Sequence, residues 1–209
     1  MPHLLHIDAS ARAEGSVSRD VATTFRQGWT GTVTYRDLGA APLPHMGIDA
    51  ILSRSLPAAG FTPEQRAAAA LQDTLLDELI AADAYLFAVP MYNYGVPSTF
   101  KSWIDHILIV GRTIGASGES PVAGRPATLV LSKGGAYGPG TPKEGWDFVE
   151  PYLVKVFAET LGLDLHVIAA ELTLADTTPA MHDLRGLAAD SLAAAHESAR
   201  ARARTLALV

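Results

Sequence analysis

The sequence predicts an α/β three-layer sandwich built on a five-stranded parallel sheet of order 2-1-3-4-5. Three observations carry that expectation. Strand-length segments recur at 3–9, 33–37, 84–89, 127–132 and 165–169, the second alternating and the others mainly apolar. Helical patterns separate them, and such alternation marks a sheet with helices on both faces. The run at 84–89 is apolar throughout, and that at 127–132 nearly so, as in strands buried on both sides.

The elements follow in order. His3–Ala9 is the first strand, and the helix from Val17 to Trp29 repeats Val21, Phe25 and Trp29 at four-residue spacing. Gly31 breaks the chain before a short strand at Val33 and Tyr35 that ends near Arg36-Asp37. Short connections of this kind imply a right-handed crossover to a parallel neighbour. Residues 38–61 are too irregular and long for an ordinary connection, which predicts a functional loop or an edge packed against a partner. Thr62-Pro63-Glu64-Gln65 reads as a capping box opening a helix to Ala81, with Leu71, Leu75 and Leu79 inward.

The strand at 84–89 ends at Pro90, which has no N–H for a sheet ladder. Pro97 then opens a helix predicted over Ser98–Gly111. A glycine-rich loop covers 113–124, the fourth strand covers Ala127–Ser132, and a helix is expected from Asp147 to Gly162. After the strand Leu165–Ala169, Thr178-Pro179 opens an alanine-rich helix running to about Arg204. No repeat or linker divides the 209 residues, so one domain over 1–209 is expected.

Composition narrows the function. Net charge is −6 with no basic face, which disfavours nucleic acid. The absence of cysteine excludes disulfides, thiolate metal sites and cysteine nucleophiles. The seven histidines show no metal-ligand spacing, so no metal is predicted. No apolar run approaches the roughly 20 residues of a membrane span. The N-terminal pattern is not that of a signal peptide, and a cytoplasmic protein is expected.

In an open parallel sheet of this order, ligands bind at the carboxyl ends of the strands, beside the switch point between the first and third. Three loops meet there. The first offers Ser10, Ser16 and Ser18 with the N–H groups of a helix starting near Val17, an anion site that needs no lysine. It lacks both the Gly-Lys-Ser/Thr and the Gly-x-Gly-x-x-Gly patterns, which favours a terminal monophosphate over a triphosphate. Taken alone, this loop reads first as a helix cap at Ser16 and a turn at Ser10. The second loop, Pro90-Met91-Tyr92-Asn93-Tyr94, offers ring surface and one amide. In the third, Ser132-Lys133-Gly134-Gly135, glycine lets backbone approach a ligand, and Tyr137 follows as a closing ring. Each loop alone has an ordinary structural reading. Together they describe a phosphate pocket continuous with a slot for a flat ring, as flavin mononucleotide (FMN) requires.

Pro90-Met-Tyr-Asn-Tyr, followed by Pro97-Ser-Thr-Phe-Lys-Ser-Trp-Ile-Asp-His106, resembles the signature of the FMN-dependent NADH:quinone oxidoreductases, or azoreductases. The resemblance extends to Asp8-Ala-Ser10, Ser16-x-Ser18, Arg36-Asp37-Leu, Ser132-Lys-Gly-Gly135 and Pro151-Tyr-Leu. It implies a flavodoxin-like fold and a homodimer whose subunits share each active-site mouth. It implies that Ser10, Ser16, Val17 and Ser18 hold phosphate. Pro90, Met91, Tyr92, Asn93 and Tyr94 would line the isoalloxazine, with Ser132, Lys133, Gly134 and Gly135 at its pyrimidine edge and Tyr137 near the substrate.

The implied reaction passes two electrons from NADH or NADPH, through bound flavin, to a quinone or azo compound. It is ping-pong, the nicotinamide leaving before the acceptor enters, and the cofactor carries the chemistry. Tyr137 and Asn93 are the candidates for a catalytic side chain, with Tyr137 or water as proton donor. The alternatives are a flavodoxin-like electron carrier, a general NAD(P)H-dependent FMN reductase, and a dimeric scaffold without flavin. Two departures from the family pattern bear on the substrate lid: Ile114-Gly-Ala-Ser-Gly118 replaces an aromatic segment, and Leu172 stands where many relatives have glycine after Ala-Glu.

Overall fold

The computed structural model describes residues 1–115 and 119–207. Strands β1 (His3–Asp8), β2 (Thr32–Asp37), β3 (Ala84–Pro90), β4 (Pro126–Ser132) and β5 (Asp164–Ala170) form one sheet of order β2-β1-β3-β4-β5. Every pairing is parallel. β3 is central, and all seven of its residues are buried. Pro90 is its last residue, opposite Ser132.

Alternation along the strands divides the core between the faces. On one face Leu5, Ile7, Tyr85, Phe87, Leu129 and Leu131 pack against α3 (Pro63–Ala81) and α4 (Ser98–Ile107). Phe87 stacks on Phe157 at 4.4 Å between ring centroids and meets Trp103 at 5.6 Å. On the other face Leu4, Leu86, Ala88, Val130 and Ile168 pack against α1 (Val17–Gln27) and α6 (Arg185–Leu206). The alanines of α6 now have a reason. Ala195, Ala199 and Ala203 form a stripe, and a Cβ on Gly28 would come within 2.9 Å of the Ala203 methyl.

α3 begins with the expected capping box: Thr62 Oγ1 accepts from the Gln65 N–H, and Gln65 Oε1 accepts from the Thr62 N–H. Leu75 and Leu79 are buried and Leu71 is half-buried. Replacing Thr62 with alanine removes the Oγ1 acceptor and leaves only the Gln65 half of that box. The expected loss is about 1 kcal/mol, read as a lower urea midpoint with unchanged slope.

Several boundaries differ from expectation. α4 stops at Ile107 rather than Gly111, because the buried Thr113 hydroxyl donates to Ile107 O at 2.5 Å and accepts from the Ile109 N–H at 3.0 Å. α1 ends at Gln27, ahead of Trp29. The 38–61 segment contains a short helix, α2 (Ile48–Leu52). Asp147 precedes its helix as a cap, accepting from the Val149 and Glu150 N–H groups, so α5 runs Glu150–Val154. It continues as a π-turn over Lys155–Thr160. Pro179–Leu184 is a 3₁₀ turn leading into α6. Part of the 113–124 loop, at 116–118, lies outside the described residues.

Among the described residues no helix is long and apolar enough to cross a membrane.

Candidate functional site

The carboxyl ends of β1, β3 and β4 open into a cleft of about 260 Å³. Ser10, Ser16 and Val17 line one end, Pro90, Met91 and Tyr92 the floor, and Ser132 and Gly134 the far side. Loops far apart in sequence are therefore gathered as the strand order requires. A larger hollow of about 690 Å³ surrounds Gly124 and Gly162, near the opposite ends of β4 and β5, and gathers none of these loops.

At the first loop Ser16 caps α1 with extended backbone, yet its side chain accepts no N–H from the first turn. Its hydroxyl lies 3.3 Å from that of Ser18, which is fully buried behind it. The first-turn N–H groups thus face the cleft without a serine acceptor, at the positive end of the helix dipole. Gly15 turns the chain into this position at φ +65°.

Beneath the loop lies a charged network. Arg19 donates to Asp8 Oδ2 at 3.0 Å, to Asp37 Oδ2 at 2.8 Å and to Ser10 O at 2.7 Å. The Tyr35 hydroxyl donates to Asp8 Oδ2 at 2.7 Å, and His6 Nε2 lies 3.1 Å from Asp8 Oδ1. Burial works to raise the Asp8 pKa, but the His6 hydrogen bond and charge, Tyr35 and Arg19 together hold it below the usual value. The Arg19 hydrogen bond likewise holds Asp37 low. Burial and the Asp8 contact push the Tyr35 phenol up.

The middle loop is a tight turn. Tyr92 and Gly95 exchange two backbone hydrogen bonds of 3.0 Å, and Asn93 and Tyr94 both take left-handed backbone, at φ +50° and +67°. Asparagine tolerates that region well and tyrosine does not, so Tyr94 carries strain of the kind found at functional sites. The Tyr92 hydroxyl accepts from the Ala11 N–H at 3.1 Å and lies 3.3 Å from Ser10 Oγ, tying the floor to the first loop. Asn93 is exposed beyond the cleft. The Tyr94 ring meets Tyr137 edge-on at 6.4 Å and Trp146 at 5.2 Å, with Lys143 Nζ 5.0 Å above it.

In the third loop, a Cβ on Gly134 would come within 2.7 Å of a Leu174 methyl, so a larger residue there would push the Leu174 side chain aside. Gly135 backs onto the Tyr137 ring. Lys133 departs from the expected placement at a ring edge. Its side chain is almost wholly buried on the side away from the cleft, in ion pairs with Asp147 and Glu150.

Arg12, Gly15, Thr173 and Leu174 also line the cleft and were not singled out in the sequence. Thr173 and Leu174 follow β5 at the same carboxyl edge, so extending the strand-end rule by one strand finds them. Leu172, one of the departures from the family pattern, takes left-handed backbone at φ +60°. That conformation is the reason glycine suits the position. Here leucine holds it, with the side chain buried and its N–H donating to Gly135 O at 3.1 Å.

A family profile described as "Flavodoxin-like fold" matches residues 2–202. An FMN-dependent NADH:quinone oxidoreductase of Streptomyces avermitilis is 47% identical, the match covering 99% of this chain and 98% of that protein. One of the same name from Frankia casuarinae is 44% identical, over 97% and 99% respectively. In structure, an azoreductase from Bacillus anthracis superposes with a TM-score of 0.82 at 24% identity, covering 98% of this chain and all of that one. A B. anthracis FMN-dependent NADH-azoreductase in complex with FMN gives 0.82 at 21%, covering 99% and 100%. These likenesses show the fold, and the close relatives show the kinship. The chain belongs to the flavodoxin-like family of the FMN-dependent NADH:quinone oxidoreductases.

Proposed function

We propose that this protein is a cytoplasmic FMN-dependent oxidoreductase that uses NADH to reduce quinones and azo compounds, its 209 residues acting as one FMN-binding domain within a homodimer. The observation that supports it most is the single cleft joining the α1 N-terminus to the Met91–Tyr92 floor and the Gly134 wall. Bound FMN would supply the two-electron chemistry, taking electrons from NADH and passing them to the acceptor in separate half-reactions.

The donor set suits that group. Ser16 and the first-turn N–H groups of α1 offer hydrogen bonds to a phosphate without a lysine, with Ser10 and Arg12 beside them. Met91 and Tyr92 give an apolar floor, and Ser132 with the Gly134 backbone gives polar groups along a ring edge. Ser18 supports Ser16 from behind, while Asn93, Tyr94 and Gly135 lie next to lining residues without lining the cleft themselves. Tyr137 does not line the cleft: it meets the Tyr94 ring edge-on and borders the neighbouring hollow around Lys133, so a role for its hydroxyl as proton donor rests on the family resemblance.

At about 260 Å³ the cleft is smaller than the roughly 300–1,000 Å³ of pockets that enclose a whole ligand. A second wall from a partner subunit would complete it. Ile48, Ile51, Leu56 and Val110 are exposed around the 38–61 segment and offer an apolar face for that contact.

A visible spectrum of protein reconstituted with FMN, anaerobic NADH titration and then menadione addition test the enzyme reading. Flavin bands that NADH bleaches and menadione restores are expected. A protein that takes up no FMN, or whose flavin NADH leaves oxidised, would refute it. Light scattering should give twice the 22.0 kDa chain mass.

A further inference from the structure

Lys133 is the residue on which two separate parts of the cleft wall converge. Its ammonium lies 2.6 Å from Asp147 Oδ2, 2.7 Å from Glu150 Oε2 and 3.7 Å from Glu171 Oε1. One cation therefore faces carboxylates from the turn before α5, from α5 itself and from the segment after β5. Tyr137 borders the same hollow and is the other titratable side chain there.

The backbone around Lys133 forms the rest of the junction. Its N–H donates to Ala170 O at 2.8 Å, and its carbonyl accepts from the Thr173 N–H at 3.1 Å and the Thr173 hydroxyl at 3.2 Å. Gly134 O accepts from the Leu174 N–H, and Gly135 O from the Leu172 N–H. On the other side, Asp147 is flanked by Trp146, whose ring packs on Tyr94, and by Phe148, whose N–H donates to Tyr94 O at 3.1 Å. The Gly134–Leu174 wall and the Tyr94 turn meet through one buried ammonium.

We propose that Lys133 is a positioning residue. By pairing with Asp147 and Glu150 and facing Glu171 it latches the Ser132–Gly135 loop to the 171–174 segment and the 146–150 turn, and so holds the ring-side wall and the Tyr94 turn in one geometry. The inference rests on reading the cleft as the flavin site.

Burial opposes the charge, but the hydrogen bonds to Asp147 and Glu150 outweigh it and keep the amine protonated. Removing the amine leaves three carboxylates near one another with no cation, and the cost falls chiefly on Asp147, the most buried of them. Like-charge repulsion then raises their proton affinity. As pH falls, one carboxyl takes a proton and donates a hydrogen bond to another. The defect of a lysine-free variant must therefore shrink on acidification, which a lost packing contact would not do.

FMN titrations by fluorescence quenching between pH 5.5 and 8, on the apo forms of the parent, Lys133→Met, Lys133→Arg and the Lys133→Met/Asp147→Asn pair, test this. Hydrogen exchange on the same apo proteins adds a readout independent of flavin. Lys133→Met should bind FMN about tenfold more weakly at pH 8 and approach the parent toward pH 5.5. Lys133→Arg should stay within about threefold, because it keeps the charge. Asp147→Asn added to Lys133→Met should recover part of the loss at pH 8. In Lys133→Met the segments 132–136, 146–149 and 171–175 should exchange faster together.

A parent-like affinity with parent-like exchange would overturn the proposal, as would a loss of one size at every pH and in every variant. If Lys133→Met does not fold, Asp147→Asn in the parent carries the exchange test, and unchanged protection in all three segments sinks the latch. A parent that binds no FMN refutes the flavin reading alone, since joint exchange still decides whether Lys133 is the junction.

Discussion

Replacing Arg19 with methionine will destabilise the protein by about 3 kcal/mol near neutral pH, and the loss will shrink as the solution is acidified. Methionine approximates the length of the side chain and removes only the cation. Arg19 is largely buried and pairs with Asp8, which is 93% buried by side chain, and with Asp37. Taking one partner from a buried pair leaves an uncompensated charge, and such losses run to roughly 3–5 kcal/mol. The lower end applies because Asp37 keeps some water contact.

The direction with pH follows from the carboxyl groups. Both are held below the usual value of 3.8 in the folded protein. Their contribution is therefore complete above that value and is lost as pH falls through the lower folded values. Arg19 is the main group holding Asp37 low and one of several at Asp8, so once both carboxyls protonate the arginine has less to pair with, and parent and variant converge as pH drops below the usual value of 3.8. Thermal melts at pH 7.5 and about pH 3 check this. At about 2–4 °C per kcal/mol for a chain this size, the melting point should fall by roughly 6–12 °C at the higher pH and clearly less at the lower. An equal drop at both would show that packing, and not the charge network, is what arginine supplies. Because Arg19 also holds Ser10 O, the variant should lose order in the loop that faces the cleft.

How much of this was legible depended on whether the deciding contact was local. The helix start at Thr62 was readable because its partners are three residues apart. β3 was readable because six apolar residues in a row between a helix and a proline leave few other readings. The meeting of Ser10, Ser16, Val17, Pro90, Met91, Tyr92, Ser132 and Gly134 along one cleft follows from strand order, which the alternation of elements implied. The end of α4 was not readable, since a threonine six residues downstream reaches back to cap it. The π-turn at 155–160 left no pattern in residue type.

Two other features were within reach of simple rules. Ser132 faces the cleft, so the alternation of a strand sends Lys133 to the opposite side. Glycine is common where the chain must turn left-handed, so the expected glycine at Leu172 was itself a statement about backbone. The strain at Tyr94 and Leu172 lies beyond pattern reading because tertiary contacts impose it on unsuited residues.

Ser16→Asp should separate folding from cofactor binding more sharply than any other single change. Aspartate is as good a helix N-cap as serine, and its charge is favourable at a helix N-terminus. The free protein should therefore keep its stability to within about 1 kcal/mol, and its melting point should stay level or rise slightly. FMN presents a doubly charged phosphate to the same position. Two unit charges 4 Å apart repel by about 4 kcal/mol at the effective dielectric of a protein surface. That corresponds to an affinity loss of about a thousandfold, with each 1.4 kcal/mol a factor of ten. Riboflavin, which has the ring and no phosphate, is the control. Its weaker binding should be nearly the same in parent and variant, because the Pro90–Tyr92 floor and the Gly134 wall are untouched. Equal losses for FMN and riboflavin would mean that the substitution deforms the cleft. No loss for either would mean that the phosphate end lies elsewhere, and the α1 N-terminus would have to give up its assigned role.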